Sequence, residues 1–190
     1  MGVGKLTTAN KLADVTGYPI LHNHLTKDLA TSFFKVNSEA YTRFLWTMRL
    51  SIVRELISEK CPGLIWTAVL QSEPAIRKYY SELEEIVHNT GGEIYYARLF
   101  CELEEQKKRV VSEERLKHKK ITTVEELEKV MKNRELYTAT PPERTIEIDN
   151  THLTPDEVAK KIRATFNLDE KNKELGNEIN PLDNSPFKLH

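Results

Sequence analysis

The sequence predicts an α/β sandwich with a mostly parallel sheet. Short apolar runs alternate with longer segments in which apolar residues recur at helical spacing. This alternation is typical of parallel strands joined by right-handed crossover helices. The run Gly63–Leu70 is almost continuously apolar, as expected for a strand covered on both faces. A chain of 190 residues is long enough to bury a sizeable core and suits one domain.

Local signals place the individual elements in order along the chain. The first predicted helix, Lys5–Thr16, stops at Gly17, and a long helix, Ala40–Lys60, stops at a Cys-Pro-Gly sequence. Capping-box sequences at Thr123 and Thr154 mark two further helix starts. The other predicted elements are strands at Tyr18–His22, Glu93–Phe100 and Thr145–Asp149, a helix from Ser72 to about Asn89, and a helix from Leu103 to about Arg109.

Composition excludes several classes of protein. The 28 basic and 29 acidic residues nearly cancel, which argues against a dedicated surface for nucleic acid or an acidic membrane. Cys61 and Cys101 lack metal-ligand spacing and are interpreted as thiols in a reducing compartment. The sequence has neither an apolar stretch long enough to span a bilayer nor a signal-peptide pattern. We therefore expect a cytoplasmic protein.

A glycine loop, Gly2-Val3-Gly4-Lys5-Leu6-Thr7-Thr8, leads directly into the first predicted helix. Glycines let consecutive backbone N–H groups turn around a phosphate, the lysine adds positive charge, and the helix offers its N-terminal dipole. The alternative is a plain loop, with Lys5 a solvent-exposed lysine at a helix start. The apolar strand and first glycine that usually come before such a loop are missing from the sequence as it begins at Met1.

Polar side chains follow each predicted strand. Ligands of parallel α/β sheets bind outside the carboxyl ends of the strands, so these side chains are expected in one crevice. The four polar segments are His22-Asn23-His24, Gln71-Ser72, Cys101-Glu102 and Asn150-Thr151.

Four segments carry a resemblance to a known family: Gly2–Ala9, His22–Leu25, Glu113–Thr122 and Ile148–Glu157. In these segments and their order, the chain resembles P-loop kinases of the shikimate, gluconate and adenylate kinase type. More narrowly, it is similar to bacterial AAA-labelled, shikimate-kinase-like proteins of unassigned substrate. The resemblance extends from Gly2 to about Phe166. It implies a three-layer P-loop NTPase sandwich whose first, central strand is absent or incomplete here.

For the nucleotide, the resemblance implies ATP with Mg²⁺ and transfer of the γ-phosphoryl group to a small-molecule acceptor. Lys5 is expected at the β- and γ-phosphates, with the backbone amides of Gly4 to Thr7 beside it. Thr7 is the expected metal ligand, because Leu6 occupies the usual metal-binding position directly after the lysine. All seven residues from Gly2 to Thr8 are assigned to nucleotide binding.

Two more regions are assigned to the nucleotide by the resemblance. Asn150 and Thr151 are expected to line the adenine pocket. Arg109 and Arg115, with His118 and Lys120 nearby, are expected at a lid of about residues 110–122 that closes over the phosphates. Arg115 is the arginine expected to stabilise charge in the transition state; the alternative is a solvated basic helix.

For the acceptor, the resemblance implies the segment after the second strand and an arginine on the long helix. His22 and Asn23 are expected to bind the acceptor, and Arg49 its anionic group, which a guanidinium grips with two hydrogen bonds. His24 is the expected acid–base residue, and Asp28 is the alternative. Polar residues that merely cap a helix, and an Arg49 on a solvated face, are the simpler interpretations.

We expect one kinase-like domain over residues 1–167 and a mobile polar tail over 168–190. Without a central strand, the strands at Gly63–Leu70 and Glu93–Phe100 would face an empty slot roughly 9–10 Å wide. The chain is accordingly expected to be a truncated product. The second hypothesis is a degenerate P-loop protein with weak or no nucleotide binding that acts as an interaction module. The acceptor and the oligomeric state stay open.

Overall fold

The structure, a computed structural model, describes residues 2–69, 74–111, 123, 125 and 140–168. Strands and helices alternate along these ranges, as the sequence predicts. The helices are α1 (Lys5–Thr16), α2 (Asn23–Phe33), α3 (Glu39–Ser58), α4 (Pro74–His88), α5 (Leu103–Val110) and α6 (Pro155–Thr165). The strands are β1 (Ile20–His22), β2 (Ile65–Thr67), β3 (Tyr96–Phe100) and β4 (Thr145–Asp149), and a 3₁₀ turn at Pro142–Arg144 leads into β4.

The helix ends follow the sequence signals closely. Gly4 and Gly17 bracket α1 in the left-handed conformation, with φ of 80° and 74°, which costs glycine no steric strain. Thr154 and Glu157 form the predicted capping box at the start of α6. The helix expected after Thr123, the lid at 110–122 beyond Val111, and the tail after Leu168 lie outside the described residues.

The strands form two separate parallel pairs, β1 with β2 and β3 with β4. Three of them are shorter than predicted. The run Gly63–Leu70 contributes only Ile65–Thr67 to a strand, and Glu93–Phe100 contributes only Tyr96–Phe100. Thr145–Asp149 forms a strand over its whole predicted length.

Helices cover these strands on two faces. On one face, α1 and α6 form a single apolar cluster with β2, β3 and β4. On the other face, the Trp66 ring of β2 lies 5.8 Å from the Trp46 ring of α3, and the Tyr96 hydroxyl of β3 donates to Glu84 of α4 at 3.1 Å. The architecture is therefore the predicted three-layer P-loop NTPase sandwich, and the described residues provide no central strand.

Helix α2 packs on α3 through a second cluster, formed by Ala30, Tyr41 and Leu45. This contact holds the start of α2 beside the carboxyl ends of β1 and β2, where the candidate site lies. Along the parts of the chain that the structure describes, the helices are too short or too polar to cross a membrane.

Candidate functional site

The N-terminus of α1 has no side-chain cap. The first N–H groups of any helix lack an intrahelical acceptor, and they carry the positive end of the helix dipole. At α1 the N-cap is Gly4, which has no side chain to cover these groups, and the first turn contains no acidic residue. Thr8 lies beyond this region, because its N–H donates to the Gly4 carbonyl at 2.9 Å and begins the helical ladder.

The glycine loop is fixed by close packing against α5. Gly2 has φ 76°, and a Cβ at this position would lie 2.8 Å from Val110 and 3.2 Å from Gln106. Only glycine fits this contact. Val3 is 8% exposed, so its side chain belongs to the core. The contacts of Gly2 and Val3 therefore hold in place the part of the loop that comes just before α1.

Asn150 joins the glycine loop to the end of β4 and to α5. Its side-chain amide donates to the Val3 carbonyl at 2.8 Å. The guanidinium of Arg109 donates to the Asn150 backbone carbonyl at 2.9 Å and to its side-chain oxygen at 3.2 Å. Arg109 also donates to Glu105 at 2.8 Å. The buried side chain of Asn150 therefore positions the glycine loop against the end of β4.

Thr151 stabilises the turn that follows β4. Its N–H and hydroxyl both donate to the Asp149 carboxylate, at 2.9 and 2.6 Å. These hydrogen bonds lower the pKa of Asp149 below its ordinary value. The Thr151 hydroxyl accepts from the Glu102 N–H at 2.9 Å, and its carbonyl accepts from Arg109 at 3.2 Å. The ends of β3 and β4 are thereby tied together beside the loop.

The segment His22-Asn23-His24 forms the start of α2. His22 is the N-cap, and its Nδ1 accepts from the His24 N–H at 3.1 Å. A neutral ring that accepts at Nδ1 carries its proton on Nε2. The two imidazole rings lie 5.2 Å apart. The helix-capping interpretation is therefore correct for His22. The same turn places the His24 ring beside the His22 ring at the start of α2.

Arg49 is buried and contacts this segment directly. It is 5% exposed, its Nε donates to the Thr26 hydroxyl at 2.9 Å, and its Nη2 donates to the Asn23 side-chain oxygen. Its guanidinium carbon lies 5.2 Å from the Trp46 ring centre and 5.7 Å from that of Trp66. The solvated-face interpretation of Arg49 is therefore wrong.

Burial leaves the Arg49 charge without an anionic partner among the described residues. Desolvation lowers the pKa of Arg49 to about 10. Two other polar atoms, the Tyr41 hydroxyl and the Trp66 indole nitrogen, are buried with no hydrogen-bond partner in the described part of the chain. Tyr80, and to a smaller extent Tyr41, act electrostatically on Arg49 and raise its pKa in part. A buried cation beside unpaired polar atoms is the environment that an anionic group would complete.

The predicted site residues thus fall into two groups. One contains the loop with Asn150, Thr151 and Arg109, and the other contains the start of α2 with Arg49. Asp28 is exposed on α2, one turn beyond His24, and Thr7 is exposed on α1. Sequence reasoning missed Thr26 and Glu105, and it gave Trp46 and Trp66 no chemistry although both flank Arg49. Arg115, His118, Lys120, Gln71 and Ser72 lie outside the described residues.

A metal has few protein ligands here. Within the described ranges, no three His, Cys, Asp or Glu side chains are grouped so that they could hold a metal ion. The exposed hydroxyl of Thr7 is the one predicted metal ligand that the structure describes. It suits Mg²⁺, which keeps several waters and takes most other ligands from substrate phosphates.

Comparison with known proteins gives the fold. No family model and no curated protein sequence matches the chain. Among solved structures, a gluconokinase from Sinorhizobium meliloti 1021 is similar at 15% identity, with a TM-score of 0.56 over 94% of this chain and 90% of that one. A sugar kinase from Janibacter sp. HTCC2649 is 16% identical, with a TM-score of 0.53 over 89% and 91%.

A third similar structure is a tunicamycin resistance protein from Deinococcus radiodurans, at 16% identity and a TM-score of 0.51 over 86% of this chain and 91% of that one. At these identities the comparison establishes architecture alone. The chain therefore has the fold of P-loop small-molecule kinases.

Proposed function

We propose that the protein is an ATP-dependent phosphotransferase that moves the γ-phosphoryl group to a small anionic acceptor. One observation carries the proposal. The N-terminus of α1, which begins at Lys5 after a glycine loop and has no side-chain cap, lies in the same sandwich as the buried Arg49, which has no acidic partner among the described residues. The first feature suits a phosphate chain, and the second suits the anionic group of an acceptor.

On the nucleotide side, the first-turn N–H groups of α1 and the Lys5 ammonium would hold the β- and γ-phosphates. Asn150 keeps the loop in register through its bond to the Val3 carbonyl, and Arg109 with Thr151 would border the adenine. Thr7 would hold Mg²⁺, and the bound ion would supply positive charge to the phosphate oxygens. Arg115 would add positive charge to the transferred group from the lid.

On the acceptor side, Arg49 would bind the anionic group, with Asn23 and His22 positioning the acceptor. The acceptor hydroxyl oxygen attacks the γ-phosphorus, the bond from that phosphorus to the β,γ-bridging oxygen breaks, and ADP leaves. His24 accepts the hydroxyl proton, because imidazole titrates near neutral pH. Asp28, one turn further along α2, is the alternative base.

The buried charge of Arg49 supports a proposal for the class of acceptor. Two of the similar structures are a gluconokinase and a sugar kinase. A sugar acid has both the hydroxyl groups that phosphoryl transfer needs and a carboxylate that would compensate the buried Arg49 charge. We therefore propose sugar acids as the acceptor class.

The second candidate function is that of an interaction module with weak or no nucleotide binding. The observation that favours it is the division of the strands into two separate pairs. The described residues contain no central strand, and among them Asn150 and α5 contact the glycine loop. The two candidates differ in whether ATP is consumed.

The test is ADP release from ATP and Mg²⁺ with a panel of sugar acids and the corresponding neutral sugars. We expect turnover with at least one sugar acid and none with its neutral counterpart. Arg49→Met should lose this preference, whereas Arg43→Met should retain it, since Arg43 is exposed on the same helix and pairs with Glu39 at 3.5 Å. Equal turnover with charged and neutral sugars would contradict the role of Arg49. No turnover with any acceptor would favour the second candidate.

A further inference from the structure

Arg49 has hydrogen-bond donors that no described residue uses. A guanidinium carries five N–H groups and no acceptor. The Nε group donates to the Thr26 hydroxyl at 2.9 Å, and Nη2 donates to the backbone and side-chain oxygens of Asn23. Nη1 makes no hydrogen bond within the residues that the structure describes. The end of the guanidinium that carries Nη1 can therefore donate to a bound molecule.

The Trp66 indole adds a second donor beside this guanidinium. Ile65 packs on the cluster of α1 and α6, so the next side chain of β2 points to the opposite face of the strand. On that face the Trp66 ring centre lies 5.7 Å from the guanidinium carbon of Arg49. The indole nitrogen is buried and has no hydrogen-bond partner in the described part of the chain. Because this nitrogen can only donate, its burial leaves an unmet need for an acceptor.

The polar neighbours of Arg49 are bonded to one another. The Thr26 hydroxyl accepts from Arg49 and lies 3.3 Å from the Asn23 carbonyl, to which it donates. The Asn23 N–H donates at 3.4 Å to the hydroxyl of Thr67, the residue after Trp66 in β2. These bonds join the start of α2 to the carboxyl end of β2. Both unused donors consequently lie beside the segment proposed to position the acceptor.

The charge at this place suits a carboxylate. Arg49 is buried with one positive charge and has no carboxylate partner among the described residues. One carboxylate compensates that charge, whereas a phosphate group carries about −1.5 to −2 at pH 7 and would bring excess negative charge. Hydrogen bonds from a charged N–H to a carboxylate are about 2.7–2.9 Å long. The two oxygens of one carboxylate can therefore accept from a guanidinium and from an indole at this separation.

We propose that Trp66 is a specificity-determining residue, whose indole N–H donates together with Nη1 of Arg49 to the carboxylate of the acceptor. This inference rests on the proposed function and adds a second donor to the acceptor's anionic group. A neutral sugar lacks the charge that the Arg49 guanidinium requires. The pair of donors thus selects acids over neutral sugars more strongly than Arg49 does alone.

Nuclear magnetic resonance observes the second donor directly, because the chain has two tryptophans and hence two indole N–H signals. The probes are a panel of sugar acids that includes D-gluconate and D-glucuronate, added without nucleotide. Their neutral counterparts, D-sorbitol and D-glucose, carry a CH₂OH group in place of the carboxylate. We expect at least one acid to shift one indole proton signal downfield, as a new hydrogen bond does. Its neutral counterpart should not shift this signal, and the signal should be missing in Trp66→Phe.

Trp66→Phe also tests affinity, since it removes the N–H and keeps an aromatic ring. The dissociation constant of the acid, measured by calorimetry, should rise about tenfold or more because a donor to a charged group is lost. Tyr79→Phe is the matched control. The Tyr79 ring stacks on Trp46 with ring centres 5.3 Å apart, and loss of its hydroxyl should leave the affinity unchanged. If Trp66→Phe does not fold, Arg49→Met provides the comparison, because acid should then no longer shift the indole signal.

Three results would overturn the proposal. They are no shift of either indole signal with any acid, an equal shift with the neutral counterpart, and wild-type affinity for the acid in Trp66→Phe. The first result would mean that the Trp66 N–H is already paired or does not meet the ligand. A shift with an acid but no ADP release from ATP would support the pair of donors and count against the phosphotransferase. ADP release with an acid that leaves the Trp66 signal unmoved would count against Trp66 alone.

Discussion

Replacement of Arg49 by methionine tests the interpretation of the acceptor site. Methionine keeps an unbranched side chain of similar length and removes the charge. The guanidinium that it replaces is 5% exposed, donates to Thr26 and Asn23, and has no carboxylate partner in the described residues. The substitution thus removes a buried charge without leaving an opposite charge behind.

The expected magnitude follows from two opposing contributions. Burial lowers the pKa of Arg49 to about 10, well below the ordinary value for a guanidinium, and each pKa unit corresponds to about 1.36 kcal/mol. The charged form is therefore disfavoured by about 3 kcal/mol. Hydrogen bonds from a charged donor return about 1.5–3 kcal/mol each. The two bonds to Thr26 and Asn23 return about 3–6 kcal/mol together, so we expect Arg49→Met to lower the free energy of unfolding by no more than about 3 kcal/mol.

Urea denaturation followed by circular dichroism measures this change. Leu50→Ala is the control on the same helix, because Leu50 is 2% exposed and a buried leucine-to-alanine change costs about 2–5 kcal/mol. If Arg49→Met loses more than about 3 kcal/mol, Arg49 mainly stabilises the start of α2. The Arg49 charge would then stabilise the fold and would not be available to bind an acceptor.

Three further predictions concern packing, the loop and pH. Gly63→Ala places a Cβ inside the Tyr18 ring and should cost about 1–3 kcal/mol in urea denaturation; wild-type stability would refute this contact. Asn150→Ala leaves the Val3 carbonyl unpaired and should weaken ATP binding about tenfold in calorimetry; an unchanged Kd would refute the positioning role. Hydrogen bonds from Thr154 lower the pKa of Glu157. The contribution of ionised Glu157 to stability is fully present above its pKa in the unfolded chain, about 4.3. This contribution is lost as the pH falls through the lower pKa of Glu157 in the folded protein. The melting temperatures of wild type and Glu157→Gln should therefore differ at pH 7 and converge near pH 3; an equal gap at both would refute this.

The fold could be predicted from the sequence where local signals decide it. Helix α1 matches its predicted limits because glycines in the left-handed conformation bracket it, and β4 forms over its whole predicted length. The run Gly63–Leu70 was predicted as a longer strand than Ile65–Thr67. A strand also requires neighbours, and β2 has a described partner on one side only.

The sequence indicated which residues belong to the candidate site, but it indicated less about the contacts that surround them. Arg49 stood out as a charged residue within an apolar run, yet its contacts with Thr26 and Asn23 join α3 to α2 across 23 and 26 positions. The bond from Asn150 to Val3 spans 147 positions. Contacts between such distant positions depend on how the layers pack, which local periodicity does not encode. Assignment of Lys5, Thr7, His24 and Asp28 to catalysis or metal binding stays a prediction.

Binding of ATP at Lys5 is the central claim, and thermal unfolding with ATP and Mg²⁺ tests it most directly. Ligand at 100 times its Kd stabilises by about 2.7 kcal/mol, which corresponds to roughly 5–11 °C in a domain of this size. The control is Lys11→Ala on the same helix, since Lys11 pairs with the exposed carboxylates of Asp14 and Asp156 at 4.0 and 3.5 Å. The account predicts this shift in the wild type and in Lys11→Ala, and its loss in Lys5→Ala. No shift in the wild type at millimolar ATP, or an equal shift in Lys5→Ala, would contradict it.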